Sequence, residues 1–312
     1  MQFLTEYSKI SCIDDSGKEV GKVTFPETED GVFEIDHTFV DDSMQGKGIA
    51  AKLVQLAIND INMRGGKVTA SCSYAKRFIE KNGLRPVVIC HMVTSIDGKV
   101  TGKFLGSEKG LQVCESYYEV NRMLKGDAFA CGRVTMESSF TNGFKPDLSP
   151  FGNADVPTDD YIAAKHDYYA VSFDRLGKVG WTESRIHDED EGYDNCHIVE
   201  VLTENTPKAM LAYYRSIGVS YIFAGKDDID IKTALRKLYS LFGIKKLLLE
   251  GGSIINGAFQ REGLIDSLSL MVAPIAADKD DKPLFMDSVM SEFRLIGANP
   301  MGDGSVWLRY TK

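Results

Sequence analysis

Polar and apolar residues alternate along the first part of the chain. From Glu19 to Val40 the side chains alternate on either side of a turn at Glu29-Asp30-Gly31. Alternation with a period of two is typical of strands with one buried face, and two such runs around a short turn predict a hairpin. The second run places four side chains on one face: Phe33, Ile35, His37 and Phe39.

The pattern then changes to a helical period. Apolar residues spaced three and four positions apart run from Ile49 to Ile61 and predict an amphipathic helix. Paired glycines at Gly65-Gly66 can supply its left-handed stop. A short strand over 67–71 and a small helix over about 74–81 follow.

A second pattern begins after Arg85-Pro86. The run VVICHMV has almost no polar interruption, which is typical of a strand buried on both faces. Further strands are predicted over 127–131, 168–172, 197–201, 220–223, 246–250 and 267–275, with helices over 207–217, 229–242 and after residue 252. This alternation predicts an α/β domain with a mostly parallel central sheet. We therefore place a domain boundary near residue 84, with domains 1–84 and 85–312.

Two stretches between these elements, 138–160 and 183–196, are rich in Gly, Pro, Asp and Ser. We expect them to be excursions at the rim of the sheet, where substrate sites often lie.

Composition narrows the kind of partner. The chain has 312 residues, 43% hydrophobic and 26% charged, with a net charge of −9. Acidic balance and dispersed Lys and Arg argue against nucleic acid or an anionic membrane as the main partner, so a small-molecule substrate is favoured. The six cysteines form no CxxC pair, which predicts no zinc site and no disulfide framework. With no leader or spanning segment visible, we expect a cytoplasmic protein.

One candidate site is the stretch Gln45-Gly46-Lys47-Gly48-Ile49-Ala50, between a strand and the amphipathic helix. Glycines let a ligand approach the backbone, and a helix entrance favours a diphosphate; the alternative is a plain strand-to-helix turn. The form Q-x-x-G-x-A resembles the coenzyme A pyrophosphate loop of the GNAT acetyltransferase superfamily. The resemblance implies a small GNAT-like α+β domain in which Gln45, Gly46, Lys47, Gly48 and Ala50 bind acetyl-CoA as acyl donor.

A small GNAT subgroup looks closest, because this chain also has its D-H-T-x-V strand, as Asp36 to Val40, and its cysteine context, as Ser71-Cys72-Ser73-Tyr74. The resemblance implies that Cys72 is an acyl-transfer nucleophile. Its position before a predicted helix would lower its pKa. His37 is either its base or a packed histidine of the core.

Three motifs in the second domain each follow a predicted strand: Ser95-Ile96-Asp97-Gly98-Lys99, Gly132-Arg133-Val134-Thr135, and Glu250-Gly251-Gly252-Ser253-Ile254-Ile255-Asn256. Taken singly they are a hairpin turn, a helix entry and a strand-to-helix turn. Together they lie at the carboxyl ends of strands, where open α/β sheets bind ligands.

These motifs resemble the riboflavin-biosynthesis reductase family, the RibD C-terminal domain, which has the dihydrofolate-reductase-like fold. The resemblance implies hydride transfer from NADPH to a C=N or C=O bond of a pyrimidine- or pterin-like compound, as in 5-amino-6-(5-phosphoribosylamino)uracil reductase. It also implies a homodimer formed through this domain.

Site residues follow from the same resemblance. Backbone donors for the cofactor diphosphate would be Gly251, Gly252 and Ser253, and further cofactor contacts would be Gly132, Arg133 and Thr135. A 2′-phosphate would be met by Ser172 and Arg175.

The catalytic candidates are the acidic residues Asp97 and Glu250. Asp97 either manages charge during hydride transfer or caps its own turn. For Glu250, a buried carboxylate is costly unless it binds something.

Two departures from the family's sequence pattern bear on which substrate the domain would accept. The family's ribose-phosphate segment A-D-D-P-x-L-T-x-R is replaced by Met136 to Phe144, and no deaminase domain with H-x-E and P-C-x-x-C zinc ligands precedes the reductase. The alternative function is a non-catalytic nucleotide-binding sensor with a GNAT-like interaction module.

Overall fold

The computed structural model describes residues 1–312. Contacts divide the chain into two compact units, Met1–Val87 and Val88–Lys312. The predicted boundary near residue 84 lies close to this division. No helix in either unit is long and apolar enough to cross a bilayer.

The first unit is built from two small sheets and two helices. Its elements are β1 (Gln2–Glu6), β2 (Lys9–Ile13), β3 (Glu19–Thr24), β4 (Glu27–Glu29), β5 (Val32–Ile35), β6 (His37–Val40), α1 (Ile49–Met63), β7 (Lys67–Ala70) and α2 (Ser73–Asn82). One sheet has the order β1-β2-β3-β6 and the other β4-β5-β7. Helix α1 buries Ile49, Leu53, Ala57 and Ile61 in the core of the unit. The predicted helix is therefore present and faces inward as its spacing requires.

The predicted hairpin changes sheets half-way along. Strand β5 pairs with β4 and β7, whereas β6 pairs with β3. Phe33 and Ile35 are buried as expected, but His37 and Phe39, beyond the break at Asp36, are exposed. The expectation of one continuous buried face was wrong, because the period continues while the sheet does not. His37 is consequently not a packed core histidine.

The second unit carries the larger sheet. Its elements are β8 (Val87–Ser95), α3 (Glu108–Leu124), β9 (Ala128–Gly132), α4 (Arg133–Phe140), β10 (Tyr169–Phe173), β11 (Arg185–Ile186), β12 (Cys196–Leu202), α5 (Lys208–Ser216), β13 (Ser220–Phe223), α6 (Ile231–Phe242), β14 (Lys246–Leu249), α7 (Ser253–Arg261), β15 (Ser267–Ala273), β16 (Arg294–Pro300) and β17 (Val306–Thr311). Helix α3 and strands β1, β2, β11, β16 and β17 were not predicted.

The ten-stranded sheet has the order β11-β12-β10-β9-β14-β8-β15-β17-β16, with β13 also paired to β12. Strands β14, β9, β10, β12 and β13 pair with one another in parallel, and β8 runs parallel to β15. Only β11, β17 and β16 join antiparallel. The prediction of a mostly parallel α/β sheet is confirmed.

Candidate functional site

A pocket of about 520 Å³ opens on the α3 side of strands β9 and β14. It receives side chains from β9, from the residue that follows β14, from α3 and α4, and from the segment before β12. Its lining consists of Glu115, Tyr117, Tyr118, Phe129, Cys131, Thr135, Ser139, Phe140, Asp188, Glu189, Asp190, Tyr193 and Glu250. Ser139 and Phe140 come from the stretch that departs from the family's ribose-phosphate segment. Both predicted excursions therefore adjoin a pocket, through Ser139, Phe140 and the acidic residues 188–190.

Glu250 lies at the floor of this pocket. It follows β14 directly, its backbone N–H donates to the Ala130 carbonyl at 2.8 Å, and its side chain is only 8% exposed. The Asn121 amide donates to Oε1 at 2.5 Å and the Tyr193 hydroxyl donates to Oε2 at 2.8 Å. Both carboxyl oxygens are therefore held by side chains from elements far away in sequence.

Burial raises the pKa of Glu250 to about 7, against the opposing effect of hydrogen bonds from Tyr193, Asn121 and Tyr117. Removing a carboxylate from water disfavours its charged form more than these donors stabilise it. Near neutral pH the group is thus divided between acid and carboxylate, which is the condition for moving a proton.

Helix α3 is anchored behind the pocket by a neutral histidine. The His91 ring stacks on Tyr117 with centroids 4.1 Å apart, and Nε2 lies 3.1 Å from the Tyr117 carbonyl oxygen, to which it can donate. Burial lowers the pKa of His91 to about 4. The Trp307 indole N–H donates to Ser269 Oγ at 2.8 Å, which leaves that hydroxyl free to donate to His91 Nδ1 at 3.0 Å. These contacts fix the position of Tyr117.

The Gly251-Gly252 turn adjoins the pocket on the β9 side. The Gly132 N–H donates to the Gly251 carbonyl at 2.7 Å, and a Cβ built on Gly252 would lie 3.4 Å from Thr135 Oγ1. Helix α7 begins directly after, at Ser253, without a side-chain cap. Three of the predicted cofactor motif elements therefore meet here: the paired glycines, Gly132 and Thr135.

The other predicted residues of the second unit lie apart from this meeting point or are already engaged. Arg133 pairs with Glu137 one helical turn on. The Ser253 hydroxyl donates to the Pro283 carbonyl, so only its backbone is available. Arg175 is exposed after β10, whereas Ser172 is fully buried. The hydroxyl of Ser172, the predicted partner of a 2′-phosphate, therefore does not reach the surface in this structure.

Asp97 is part of its own turn. Its carboxylate accepts from the Ala277 N–H at 2.9 Å and from the Ser95 hydroxyl at 2.7 Å, and these bonds lower its pKa. It is exposed and does not line the pocket. This geometry supports the capping alternative.

The glycine loop of the first unit is open. Gly46 and Gly48 have φ angles of +77° and +76°, and no atom lies within 4 Å of a Cβ built on either. Gly48 is the N-cap of α1, which has no side-chain cap. Gln45 and Lys47 are exposed beside it, with the Gln45 amide donating to Asp42 Oδ1 at 2.7 Å, and Ala50 lies in the first turn. The backbone at this helix entrance is therefore accessible.

Cys72 lies at the N-terminus of α2, half-buried, with Sγ 3.6 Å from Thr38 Oγ1 on β6. Burial acts to raise its pKa, but hydrogen bonds from the Ala75 N–H and Thr38 outweigh this, so the pKa lies below that of an ordinary thiol. Thr38 lies on β6 and Cys72 lies two residues after the end of β7, a strand of the other sheet.

Sequence reasoning missed Tyr117, Asn121 and Tyr193. Helix α3 does carry a helical signal, since Val113, Tyr117 and Val120 recur at its period and are buried. No local signal identifies Tyr193, because only the folded segment brings it to Glu250.

Part of each unit is similar to a known protein family. Residues 9–85 match the family model for GCN5-related N-acetyl-transferases, and residues 191–306 match that for the RibD C-terminal domain. The 2,5-diamino-6-ribosylamino-4(3H)-pyrimidinone 5′-phosphate reductase of Aquifex aeolicus is 25% identical over 211 residues, covering 64% of this chain and 81% of the relative. The protein of the same name from Kluyveromyces lactis is 27% identical, covering 60% and 72%. Because these relatives are named as reductases, they do not favour the alternative of a non-catalytic nucleotide-binding sensor.

A solved structure shares the fold. The pyrimidine reductase-like protein of Corynebacterium diphtheriae superposes with a TM-score of 0.53 at 19% identity, covering 75% of this chain and 93% of that one. Both resemblances drawn from the sequence are confirmed. Residues 9–85 are thus similar to GCN5-related N-acetyl-transferases, and residues 191–306 to the RibD C-terminal domain.

Proposed function

We propose that the second unit is an NADPH-dependent reductase of the riboflavin-biosynthesis type, acting on a C=N or C=O bond of a pyrimidine- or pterin-like compound. The observation that carries this proposal is the position of Glu250, on the pocket floor and directly before the Gly251-Gly252 turn. A proton-carrying group thereby lies next to a candidate diphosphate site. The relatives named as pyrimidinone phosphate reductases support the same reaction class.

The Gly251-Gly252 turn suits a dinucleotide. Gly251 has a φ of +100°, and a Cβ there would lie 3.0 Å from Met92 Cε, so the turn requires glycine at this position. The uncapped start of α7 offers N–H groups to a diphosphate. Asn256 is fully buried nearby and neither polar atom of its amide has a protein partner. Bound NADPH would supply the hydride, with Arg175 available to its 2′-phosphate.

Glu250 is assigned the proton. Its pKa of about 7 keeps a large fraction protonated at neutral pH, so it can donate to the nitrogen or oxygen beside the carbon that receives the hydride. Tyr193 and Asn121 hold the carboxyl group in one orientation.

The test is oxidation of NADPH, followed by absorbance, with diaminopyrimidinone and pterin compounds. We expect turnover that depends on the protein and is faster with NADPH than with NADH. Tight NADPH binding without turnover of any compound would contradict the proposal and would favour the alternative of a non-catalytic nucleotide-binding sensor.

For the first unit we propose acyl-CoA binding at the open Gly46 and Gly48 loop, with the thioester near Cys72. The accessible entrance of α1 and the lowered pKa of Cys72 support this assignment. Calorimetric titration with acetyl-CoA tests it, and absence of a binding isotherm would contradict it.

The homodimer is proposed to form through the second unit. Strand β16 is the outer strand of the large sheet and exposes Leu295 and Ile296, each about half. An unpaired apolar edge is a ready surface for a second copy. Light scattering coupled to size exclusion should give twice the monomer mass, and a monomer at micromolar concentration would contradict the dimer.

A further inference from the structure

The lining of the pocket is unusual in its charge. Five of its thirteen residues are acidic: Glu115, Asp188, Glu189, Asp190 and Glu250. None of the thirteen is Lys, Arg or His. Glu250 is at the floor, and the other four carry their carboxylates at the mouth.

The acidic mouth is held in place by its own contacts. The Asp190 N–H donates to Asp188 Oδ1 at 2.9 Å, and the Gly192 N–H donates to Asp190 Oδ1 at 2.7 Å. Arg122, on α3, pairs with Asp190. This nearby cation is therefore already engaged by one carboxylate. Glu115 and Glu189, by contrast, are exposed.

The negative charge of these groups also acts on a side chain that lines the pocket. The pKa of the Tyr118 phenol is raised, mainly by burial and further by negative charges that include Asp188, Glu115 and Asp190. An anion entering the pocket meets the same repulsion.

The walls between mouth and floor are aromatic. Tyr193 packs edge-on against Phe129 and Tyr118, with centroid distances of 5.0 and 5.8 Å, and Tyr117 and Phe140 complete the surface. Such walls suit a flat ring, and carboxylates at the mouth accept hydrogen bonds from amino groups.

We infer that this pocket takes an unphosphorylated, amino-substituted heterocycle and discriminates against its phosphorylated form. The inference rests on the proposed function and specifies its substrate class. A phosphate monoester carries a charge of about −1.5 to −2 at neutral pH. With Glu115, Asp188 and Glu189 at the mouth beside the Arg122-paired Asp190, and no basic lining residue, that charge is repelled, whereas amino groups are bound. The cofactor diphosphate is not affected in this way, because its candidate site is the backbone turn at Gly251-Gly252.

The test is a binding comparison between 2,5-diamino-6-ribosylamino-4(3H)-pyrimidinone and its 5′-phosphate, by calorimetry on the full chain with NADP⁺ present to prevent turnover. We expect the unphosphorylated compound to bind roughly tenfold more tightly at low salt. The double substitution Glu115→Gln and Glu189→Gln should reduce that preference roughly fivefold, and so should high salt. The control is Glu191→Gln, an exposed residue of the same segment outside the pocket lining, which should leave the preference unchanged.

The phosphate binding as tightly as the unphosphorylated compound, or neither compound binding, would overturn the inference. NADPH oxidation is measured separately. A binding preference without oxidation would overturn the proposed reductase while leaving the specificity of the pocket intact.

Discussion

The two glycine turns of this protein differ in what surrounds them. Around Gly46 and Gly48 there is open space, and the residues of the candidate diphosphate loop are consecutive in the sequence. Gly251 and Gly252 are enclosed by Met92, Thr135 and Asn256, and the acid beside them is held by residues from α3 and the segment before β12. A surface turn can be recognised from local spacing, whereas an enclosed site depends on the whole fold.

The largest expected effect is a loss of turnover at Glu250, beside the enclosed Gly251-Gly252 turn. Glu250→Gln keeps the shape of the side chain and removes its proton chemistry, so we expect kcat to fall about hundredfold or more while NADPH affinity is retained. In the wild type, activity should fall as pH rises through about 7, because the donating form of Glu250 is lost. Steady-state rates across pH, with cofactor fluorescence for binding, measure both.

The matched control is Glu200→Gln. Glu200 is also fully buried and its pKa is also raised by burial, but it does not line the pocket. It should keep kcat. Equal losses in the two variants would indicate a structural effect of buried carboxyl groups.

A smaller effect, on acetyl-CoA affinity, is expected at the open loop of Gly46 and Gly48. Gly48→Glu places a bulky anion at the candidate diphosphate position, so acetyl-CoA affinity should fall at least about tenfold, since a charge at contact distance costs above 1 kcal/mol. Gly17→Glu is the control, because Gly17 has a similar φ of +87° and equally open space. Both changes carry a strain of about 1–3 kcal/mol. Calorimetry giving the same affinity for both variants would end the coenzyme assignment.

A few-fold change in the rate of alkylation of Cys72 is expected when its partner Thr38 is replaced. It should be alkylated by iodoacetamide before the other thiols, which are buried or, at Cys114, have a pKa raised by burial. Thr38→Val removes a hydroxyl that lowers the Cys72 pKa and should slow this reaction. Thr28→Val, on exposed β4, is the control. Peptide mass spectrometry of timed samples gives the rates, and unchanged labelling in Thr38→Val would count against the role of that contact.

A separate effect of the Glu250 carboxyl group is on the stability of the fold. The folded pKa of Glu250, about 7, exceeds its unfolded value, so its stabilising contribution is full below the unfolded pKa and is lost as pH rises through 7. Between pH 5 and 8 the wild type should lose about 1–3 kcal/mol relative to Glu250→Gln. Urea unfolding of both proteins at the two pH values measures this difference. A constant difference would show that the carboxyl group is not perturbed.

The sequence predicted those parts of the molecule that depend on short-range pattern. The period of α1, the buried run of β8 and the glycine turns all follow from neighbouring residues, and each is present. The exposure of His37 could not be predicted, because β5 and β6 enter different sheets without any change of alternation. The partners of Glu250 were missed for a related reason: Asn121 and Tyr193 approach it only after α3 and the acidic segment fold onto β9 and β14.

The hydrogen bonds behind Tyr117 give the last strand a role in the shape of the pocket. All lining residues precede Gly251, yet α3 is reached through a relay from the Trp307 indole to Ser269 and then to the His91 ring. The final hairpin, β16–β17, therefore helps to hold α3 in place from a distance, so the shape of the pocket also depends on contacts made by the last strand of the sheet.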